Sequence, residues 1–185
     1  MGEDTTGGVV AMEELRYPIG PFQRQDSLDE ETRENFIAVI EDAPVKLSEA
    51  VLDLTNEQLD TPYRPEGWTV RQVVHHLADA NLNFFFRTKL ALTEIEPVVK
   101  PFDEEGWAEL PDSKVLPIEA SLALIEQLNR RLVFLLRSTP VADFARTFRH
   151  PVNGVWTLDA ALSFAAWHNL HHTAHITTLR ERKNW

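Results

Sequence analysis

Two histidines near the C-terminus, His168 and His172, have the spacing of a shared metal site. Side chains four residues apart lie on one face of an α-helix, so their rings can bind the same ion. The apolar positions that continue the same helical period are Leu158, Ala161, Ala165, Ile176 and Leu179. Both histidines therefore occupy positions that the period assigns to a buried stripe. Buried imidazoles need partners, and a divalent metal ion is one candidate.

A third ligand is expected from another helix, because a catalytic zinc usually has three protein ligands and one open position. The segment 73–79 offers two adjacent histidines, His75 and His76. The inner stripe of the predicted helix contains His76 and the small residue Ala80, whereas His75 lies about 100° away. His76 is the better candidate. The pattern alone leaves structural histidines as an equally open alternative.

The remaining histidines are assigned other roles. His171 and His175 form a second pair four residues apart, turned away from the first, and they are predicted to support the ligands or an interface. His150 precedes a proline and is predicted to be exposed in a loop. Asp79 lies one turn from His75 and His76. It either orients an imidazole or faces solvent, and the sequence does not separate these roles.

Several classes of function are disfavoured. Cysteine is absent, which excludes disulfides, thiolate zinc sites and a cysteine nucleophile. The segment from His168 to His172 lacks the glutamate that serves metalloproteases as a general base. No Gly-x-Ser-x-Gly, P-loop or Rossmann motif occurs. A net charge of −11 argues against nucleic acid as a partner. Without a signal pattern or a long apolar stretch, we expect a cytoplasmic protein with no membrane partner.

The elements that must position these residues are predominantly helical. Residues 1–16 are predicted to be a flexible tail and 17–185 a single domain, beginning with an extended segment at 17–21. A capping-box pattern at Ser27 opens the first long helix, which Pro44 should kink or split. Thr55 should cap a short turn, and Thr69 opens a second long helix that ends near residue 92.

The second half is predicted from prolines, glycines and caps. Residues 93–116 carry three prolines and should form a long loop, either a rim over the site or a segment packed on the bundle. Pro117 begins a third helix that ends near residue 138. Asn153-Gly154 predicts a two-residue hairpin turn. Thr157 then caps a last helix that runs to about residue 182. The prediction is an all-α four-helix bundle with long connections and at most one hairpin.

Several blocks of this sequence resemble the YfiT branch of the DinB-like metalloprotein superfamily. They are Tyr17-Pro-Ile-Gly20, Asp60-Thr-Pro-Tyr-Arg64, Gly67-Trp-Thr-Val-Arg-Gln-Val-Val-His-His-Leu-Ala-Asp79, Trp167-His-Asn-Leu-His-His-Thr-Ala-His-Ile176 and Lys183-Asn-Trp185. The resemblance implies a four-helix bundle with a divalent ion held by His76, His168 and His172 and completed by water. It also implies a cytoplasmic homodimer. Similar proteins are described as metal-dependent hydrolases, and thiol-using relatives as S-transferases that join bacillithiol or mycothiol to electrophiles.

The chemistry favours a thiol S-transferase with a bacillithiol-like cosubstrate. A free thiol has a pKa of about 8.5, and coordination to a dication deprotonates it. Zinc is the first expectation for the ion and nickel the second. A hydrolase is the alternative, but it needs metal-activated water and usually a base, for which only distant carboxylates such as Asp79 are available. A non-catalytic bundle with structural histidines is the third possibility. Arg71 and Arg87 could meet carboxylates of a cosubstrate but are assigned no role.

Overall fold

The computed structural model describes residues 13–185 and consists mainly of helices. In chain order, the elements are α1 (Glu30–Val51), α2 (Asn56–Leu59), α3 (Val70–Thr93), α4 (Glu104–Ala108), α5 (Pro111–Val115), α6 (Glu119–Arg137), a 3₁₀ helix (Val141–Ala145), β1 (Thr147–His150), β2 (Gly154–Thr157) and α7 (Leu158–Lys183). The four long helices, α1, α3, α6 and α7, form a bundle. The all-α prediction with one short hairpin is confirmed.

The helices α1 and α7 run parallel to each other. Arg33 of α1 forms a buried ion pair with Asp159 at the start of α7, with Nε and Oδ1 2.9 Å apart. Near the far ends of both helices, Arg180 donates to the carbonyl of Ala50 at 3.0 Å. The basic residues that close α7 therefore also satisfy carbonyl groups at the end of α1.

The other two long helices run opposite to this pair. Helix α3 packs on both α6 and α7, and α1 packs on the same two helices. His75 contacts Ser121 near the starts of α3 and α6, and Arg131 lies over the ring of Phe85 further along both, so α3 and α6 are parallel. The chain must therefore return along the whole bundle between α3 and α6.

That return segment, residues 94–118, is not the uninterrupted loop predicted for 93–116. It contains α4 and α5, and both pack on α3. The Asp103 side chain caps α4 by accepting from the backbone N–H of Gly106 at 2.9 Å. Pro111 occupies the first position of α5, where its missing N–H costs nothing. The prolines thus start a helix here rather than excluding one.

The first helix begins later than predicted and is not split. Its N-cap is Asp29, whose side chain accepts from the N–H of Thr32, and not Ser27. The N–H of Leu28 is already bound to the carboxylate of Asp159 at 2.9 Å, which holds the preceding segment outside the helix. Pro44 lies inside α1 without splitting it.

The side chain of Asn129 compensates for the missing N–H of Pro44. A proline at position 44 leaves the carbonyl of Ile40 without its usual helical donor. The buried amide of Asn129 donates to that carbonyl at 2.9 Å. A polar group of α6 therefore stabilises the one turn of α1 that proline weakens.

The caps at Thr55, Thr69 and Thr157 are confirmed, the first two as complete capping boxes. The hairpin turn differs from the prediction. His150 pairs with Gly154, so the loop contains the three residues 151–153 rather than Asn153-Gly154 alone. Gly154 has φ +78°, a conformation suited to glycine at the start of β2.

The N-terminal prediction is only partly covered by the structure. Residues 1–12 of the predicted tail lie outside the described residues, and residues 13–16 are helical. The N–H of Gly20 donates to the carbonyl of Tyr17 at 2.9 Å, so residues 17–20 form a turn rather than the predicted extended segment. The carbonyl of Arg16 accepts a hydrogen bond from a histidine of α7, as described below.

Buried apolar residues form two clusters, one at each end of the bundle. One surrounds Leu132 and Leu162, and the other surrounds Val73 and Leu179. A layer of buried histidine and asparagine side chains from α3 and α7 lies between them. No helix within residues 13–185 is long and apolar enough to cross a membrane.

Candidate metal centre

His76, His168 and His172 meet between α3 and α7. One nitrogen from each ring lies within 4.8 Å of the others, and the Nε2 atoms of His76 and His168 are 3.3 Å apart. Because the two helices are antiparallel, a residue early in α3 faces the second half of α7. His76 and His172 are buried, and His168 is partly buried. The structure thus brings together the three residues selected from the helical period.

Burial keeps these rings neutral. It is the main cause that lowers the pKa of His76 to about 4, with a smaller contribution from His171. Burial, followed by the neighbouring histidines, also holds the pKa of His168 and His172 well below the usual range. Near pH 7 the rings therefore offer lone pairs, which a metal ion requires.

The donor set and spacing fit a divalent ion. Two ligands bound tetrahedrally at a Zn–N distance of about 2.0–2.1 Å are separated by about 3.3 Å. The separation of the His76 and His168 Nε2 atoms is 3.3 Å. Three imidazoles suit zinc, nickel, copper or iron, and leave room for a further ligand. Among the described residues, no carboxylate oxygen belongs to this group of donor atoms.

His75, the sequence neighbour of His76, has a different environment. Its Nδ1 lies 2.7 Å from the hydroxyl oxygen of Ser121, and its Nε2 lies 3.1 Å from the carbonyl oxygen of Leu116. Because a carbonyl only accepts, Nε2 carries the proton and Nδ1 accepts from the hydroxyl. Both ring nitrogens are therefore occupied, and His75 joins α3 to α6 and to the return segment.

A flanking group of histidines, His171 and His175, lies on the outer side of His172. One ring nitrogen from each of the three lies within 4.8 Å of the others. The Nε2 of His175 donates to the carbonyl of Arg16 at 3.1 Å, and this ring stacks on Tyr63 with centroids 3.9 Å apart. His171 stacks on Trp167 at 4.4 Å. The support of the ligands or of an interface predicted for these two histidines stays a prediction.

Two asparagines fix α3 against α7 next to the three histidines. The Nδ2 of Asn81 donates to Oδ1 of Asn169 at 3.0 Å, and the reciprocal bond measures 3.1 Å. Each amide also donates to a carbonyl of its own helix. Asn81 was not among the residues predicted from the sequence. Its position four residues after Leu77, on the buried side of the helix, was the available signal.

A cavity of about 350 Å³ lies against His168 and Asn169, between α3, α7, the hairpin and the return segment. Its walls are largely aromatic and apolar. Phe102 of the return segment lies 6.2 Å from His76 between ring centroids, and Phe164 lies 5.3 Å from His168. The two roles considered for the segment are therefore combined, since it packs on α3 and also forms the rim of the cavity.

Four further residues considered in the sequence are placed by the structure. His150 ends β1, is partly buried and lines the cavity, so the prediction of an exposed loop residue was wrong. Asp79 makes no side-chain hydrogen bond to a histidine within residues 13–185, and burial raises its pKa to about 6.

Arg71 bonds to Asp60, Asn56 and the Leu116 carbonyl, which makes it structural. Arg87 lines the cavity.

Comparison with known proteins gives the family. The model of the DinB superfamily matches residues 31–176. This chain belongs to the DinB superfamily. A Bacillus mycoides (strain KBAB4) relative named "Putative metal-dependent hydrolase" is 53% identical over 174 residues, which cover 94% of this chain and 100% of the relative. A Bacillus cereus (strain 03BB102) relative of the same name has the same identity and coverage.

The solved structure of a DinB-like protein agrees with this fold. YfiT from Bacillus subtilis, described as a probable metal-dependent hydrolase with an unusual four-helix bundle topology, superposes with a TM-score of 0.91. It is 47% identical, and the match covers 93% of this chain and 99% of YfiT. The parallel pairs of helices and the long return segment described above form such a four-helix bundle.

Proposed function

We propose that this DinB-superfamily protein is a metal-dependent enzyme whose divalent ion is held by His76, His168 and His172. We further propose that it transfers a low-molecular-weight thiol to an electrophile. The observation that carries the proposal is the cluster of three neutral, inward-facing imidazoles, one of which, His168, lines a partly open cavity. Zinc is the first candidate for the ion and nickel the second.

A divalent ion at this position would supply charge that converts a coordinated thiol into its thiolate at neutral pH. The protein contributes the surroundings. The ring of Trp68, whose centroid lies 4.6 Å from that of His76, and the ring of Phe102 shield the site from water. The paired amides of Asn81 and Asn169 hold the two helices in register, which keeps the donor atoms in position.

The proposed transfer needs no nucleophile from the protein. The cosubstrate sulfur forms a bond to the electrophilic carbon, the leaving group departs with the electron pair of the broken bond, and the thiol proton passes to solvent. The chain has no cysteine, and no carboxylate joins the donor group among the described residues. The site thus offers ligands for an ion beside a cavity of about 350 Å³, with no general base among those ligands.

Hydrolysis is the second candidate, and Glu104 is the observation that favours it. This carboxylate lines the cavity, and partial burial followed by the charge of Glu105 raises its pKa above the usual value. A carboxylate with a raised pKa can act as a general base towards water. The similar Bacillus proteins are also named as hydrolases. Glu104 would then be essential, whereas thiol transfer would not require it.

The test starts with the metal content of protein purified without an affinity tag. We expect close to one divalent ion per chain by mass spectrometry, and none in a His76→Ala variant. The metal-loaded protein is then incubated with monochlorobimane and a panel of low-molecular-weight thiols that includes bacillithiol. Fluorescence should rise faster than in the protein-free control for at least one thiol. No acceleration with any thiol would refute the transferase.

The Glu104→Gln variant separates the two candidates. If the enzyme transfers thiols, the substitution should change the rate of bimane conjugation by less than about threefold. If it hydrolyses substrates through Glu104, turnover of aryl esters without added thiol should fall by about 100-fold, a usual loss for a general base. Ester turnover that depends on Glu104, together with no thiol conjugation, would replace the first proposal with the second.

A further inference from the structure

The cavity extends from His168, the one histidine of the three that lines it among the described residues, along one face of α3. His76, Ala80, Phe84 and Arg87 are separated by four, four and three residues, which places them on the same side of the helix. At a rise of about 1.5 Å per residue, the Cα atoms of His76 and Arg87 are about 16 Å apart. Arg87 is therefore at the end of the cavity away from the proposed ion.

Arg87 has unused hydrogen-bonding capacity. Its Nε is buried and has no hydrogen-bond partner within residues 13–185. Its Nη2 donates to the carbonyl of Lys100 at 3.3 Å, and burial lowers the pKa of this guanidinium from its usual high value without neutralising it. A buried N–H donor without an acceptor is unfavourable, so binding of an acceptor at this nitrogen would be favourable.

Arg87 interacts electrostatically with the nearby Glu104 but forms no salt bridge within residues 13–185. It is the one arginine or lysine among the residues that line the cavity. No ion pair joins it to Glu104, the one carboxylate of the lining, in the part of the chain that the structure describes. Burial and the Arg87 charge lower the pKa of His150, so this neighbour adds no positive charge near pH 7.

The residues that line the cavity indicate the chemical character of the part of the ligand away from the anion. Between Arg87 and His168 the lining includes the rings of Phe84, Phe148, Trp156 and Phe164. Aromatic walls with one charged group at the end are typical of sites that bind an apolar molecule in a fixed orientation. A planar guanidinium matches the geometry of a carboxylate or sulfonate.

We propose that Arg87 forms an anion-binding subsite, and that the substrate of this site is an elongated, aromatic or apolar molecule with a carboxylate at one end. The anionic end binds at Arg87, and the reactive end lies beside His168. This inference rests on the proposed function only for the chemistry at the reactive end. Binding of the anion itself requires neither the ion nor the thiol.

Two fluorescent probes of nearly the same shape provide the test. Anilinonaphthalene sulfonate carries an anion, and N-phenyl-1-naphthylamine is the same aromatic body without it. Dissociation constants for both are measured with the full-length protein, metal-free and metal-loaded. Replacing Arg87 with methionine should weaken binding of the sulfonate by about tenfold or more, since charge-assisted hydrogen bonds are lost. Binding of the neutral probe should change by less than about twofold.

Control variants keep the result interpretable. Arg149→Met removes an arginine of the neighbouring β1 strand that is paired with Glu96 and does not line the cavity, and it should leave both probes unaffected. Glu104→Gln removes the negative charge of the cavity lining. It should lower the dissociation constant of the sulfonate probe by about twofold to threefold. This variant still tests the proposal if Arg87→Met does not fold.

Two outcomes would overturn the proposal. In the first, the Arg87→Met variant binds the sulfonate as tightly as the parent protein does. In the second, the variant loses affinity for both probes to the same extent. If Arg87→Met is unfolded, a sulfonate affinity that Glu104→Gln leaves unchanged would also overturn it. Failure of the thiol assay, by contrast, leaves these binding ratios untouched, so the two proposals can fail separately.

Discussion

Helix α7 carries two groups of histidines, and they differ in whether a second helix contributes to the group. Towards α3, His168 and His172 meet His76 at a point that borders a cavity. On the outer side, the His175 ring is bound to the Arg16 carbonyl and stacked on Tyr63, and His171 is stacked on Trp167. Both groups have helical spacing and both are buried. A metal centre with ligands from more than one helix requires in addition a donor such as His76 of α3, and within residues 13–185 the outer group has no donor from a second helix.

Removing a histidine that faces α3 should have the largest effect. His76→Ala, His168→Ala or His172→Ala is expected to weaken metal binding by at least about 100-fold, because two imidazoles form an incomplete site. Competition with a chromophoric chelator measures the change. His75→Ala is the matched control, since its ring bonds to Ser121 and Leu116 instead. Loss of metal in His75→Ala, with retention in His76→Ala, would contradict the assignment.

Separating the paired amides should mainly reduce stability. Asn169→Leu leaves the buried amide of Asn81 without its partner, and we expect the free energy of unfolding to fall by about 2 kcal/mol. Urea denaturation measures this. A second substitution, Asn81→Leu, should recover part of the loss because both polar groups are then absent. Equal stability of the single variant and the parent would show that the pair does not hold α3 against α7.

Changing the flanking group should have a smaller effect on the ion. His175→Phe keeps a flat ring against Tyr63 and removes the bond to the Arg16 carbonyl. Metal affinity is expected to fall by no more than about tenfold, as for residues that support a ligand without binding the ion. The chelator titration used for His172→Ala provides a direct comparison. A loss as large as that of His172→Ala would make His175 part of the metal site.

The smallest effect is expected at Asp79, and it should depend on pH. Burial raises the pKa of this carboxyl from 3.8 to about 6, so the folded protein binds the proton more tightly than the unfolded chain. Stability is therefore lost as pH rises from about 4 to 6, and the loss is complete above pH 6.

Asp79→Asn removes that ionisation. Because the side chain is only partly buried, we expect a gain of about 1 kcal/mol at pH 8 and almost none at pH 4. Urea unfolding of parent and variant at both pH values measures the difference. A gain that is the same at both pH values would show that ionisation of Asp79 has no part in it.

The residues facing the proposed ion could be predicted because they depend on helical geometry alone. The period of α7 placed His168 and His172 on one stripe, and the period of α3 separated His76 from His75. The fold class followed from the same periodicity, with caps at Thr69 and Thr157 marking the starts of both helices.

Features that depend on tertiary contacts could not be predicted in this way. The Asp29 cap replaced Ser27 because a carboxylate 131 residues away binds the Leu28 N–H. The cavity role of His150 needs the hairpin to fold back onto α3, and the free Nε of Arg87 depends on which partners lie beside it. None of these contacts leaves a periodic signal in the sequence.

The parallel course of α3 and α6 determines how the chain closes the site. Since the segment 94–118 must travel back along the bundle, it supplies Phe102 beside His76 without belonging to any of the four long helices. A substitution at Phe102 therefore changes one wall beside the site without altering the helices that carry the imidazole donors. Part of the wall that an incoming molecule would contact is thus encoded apart from the ligands of the ion, whereas Arg87 shares α3 with His76.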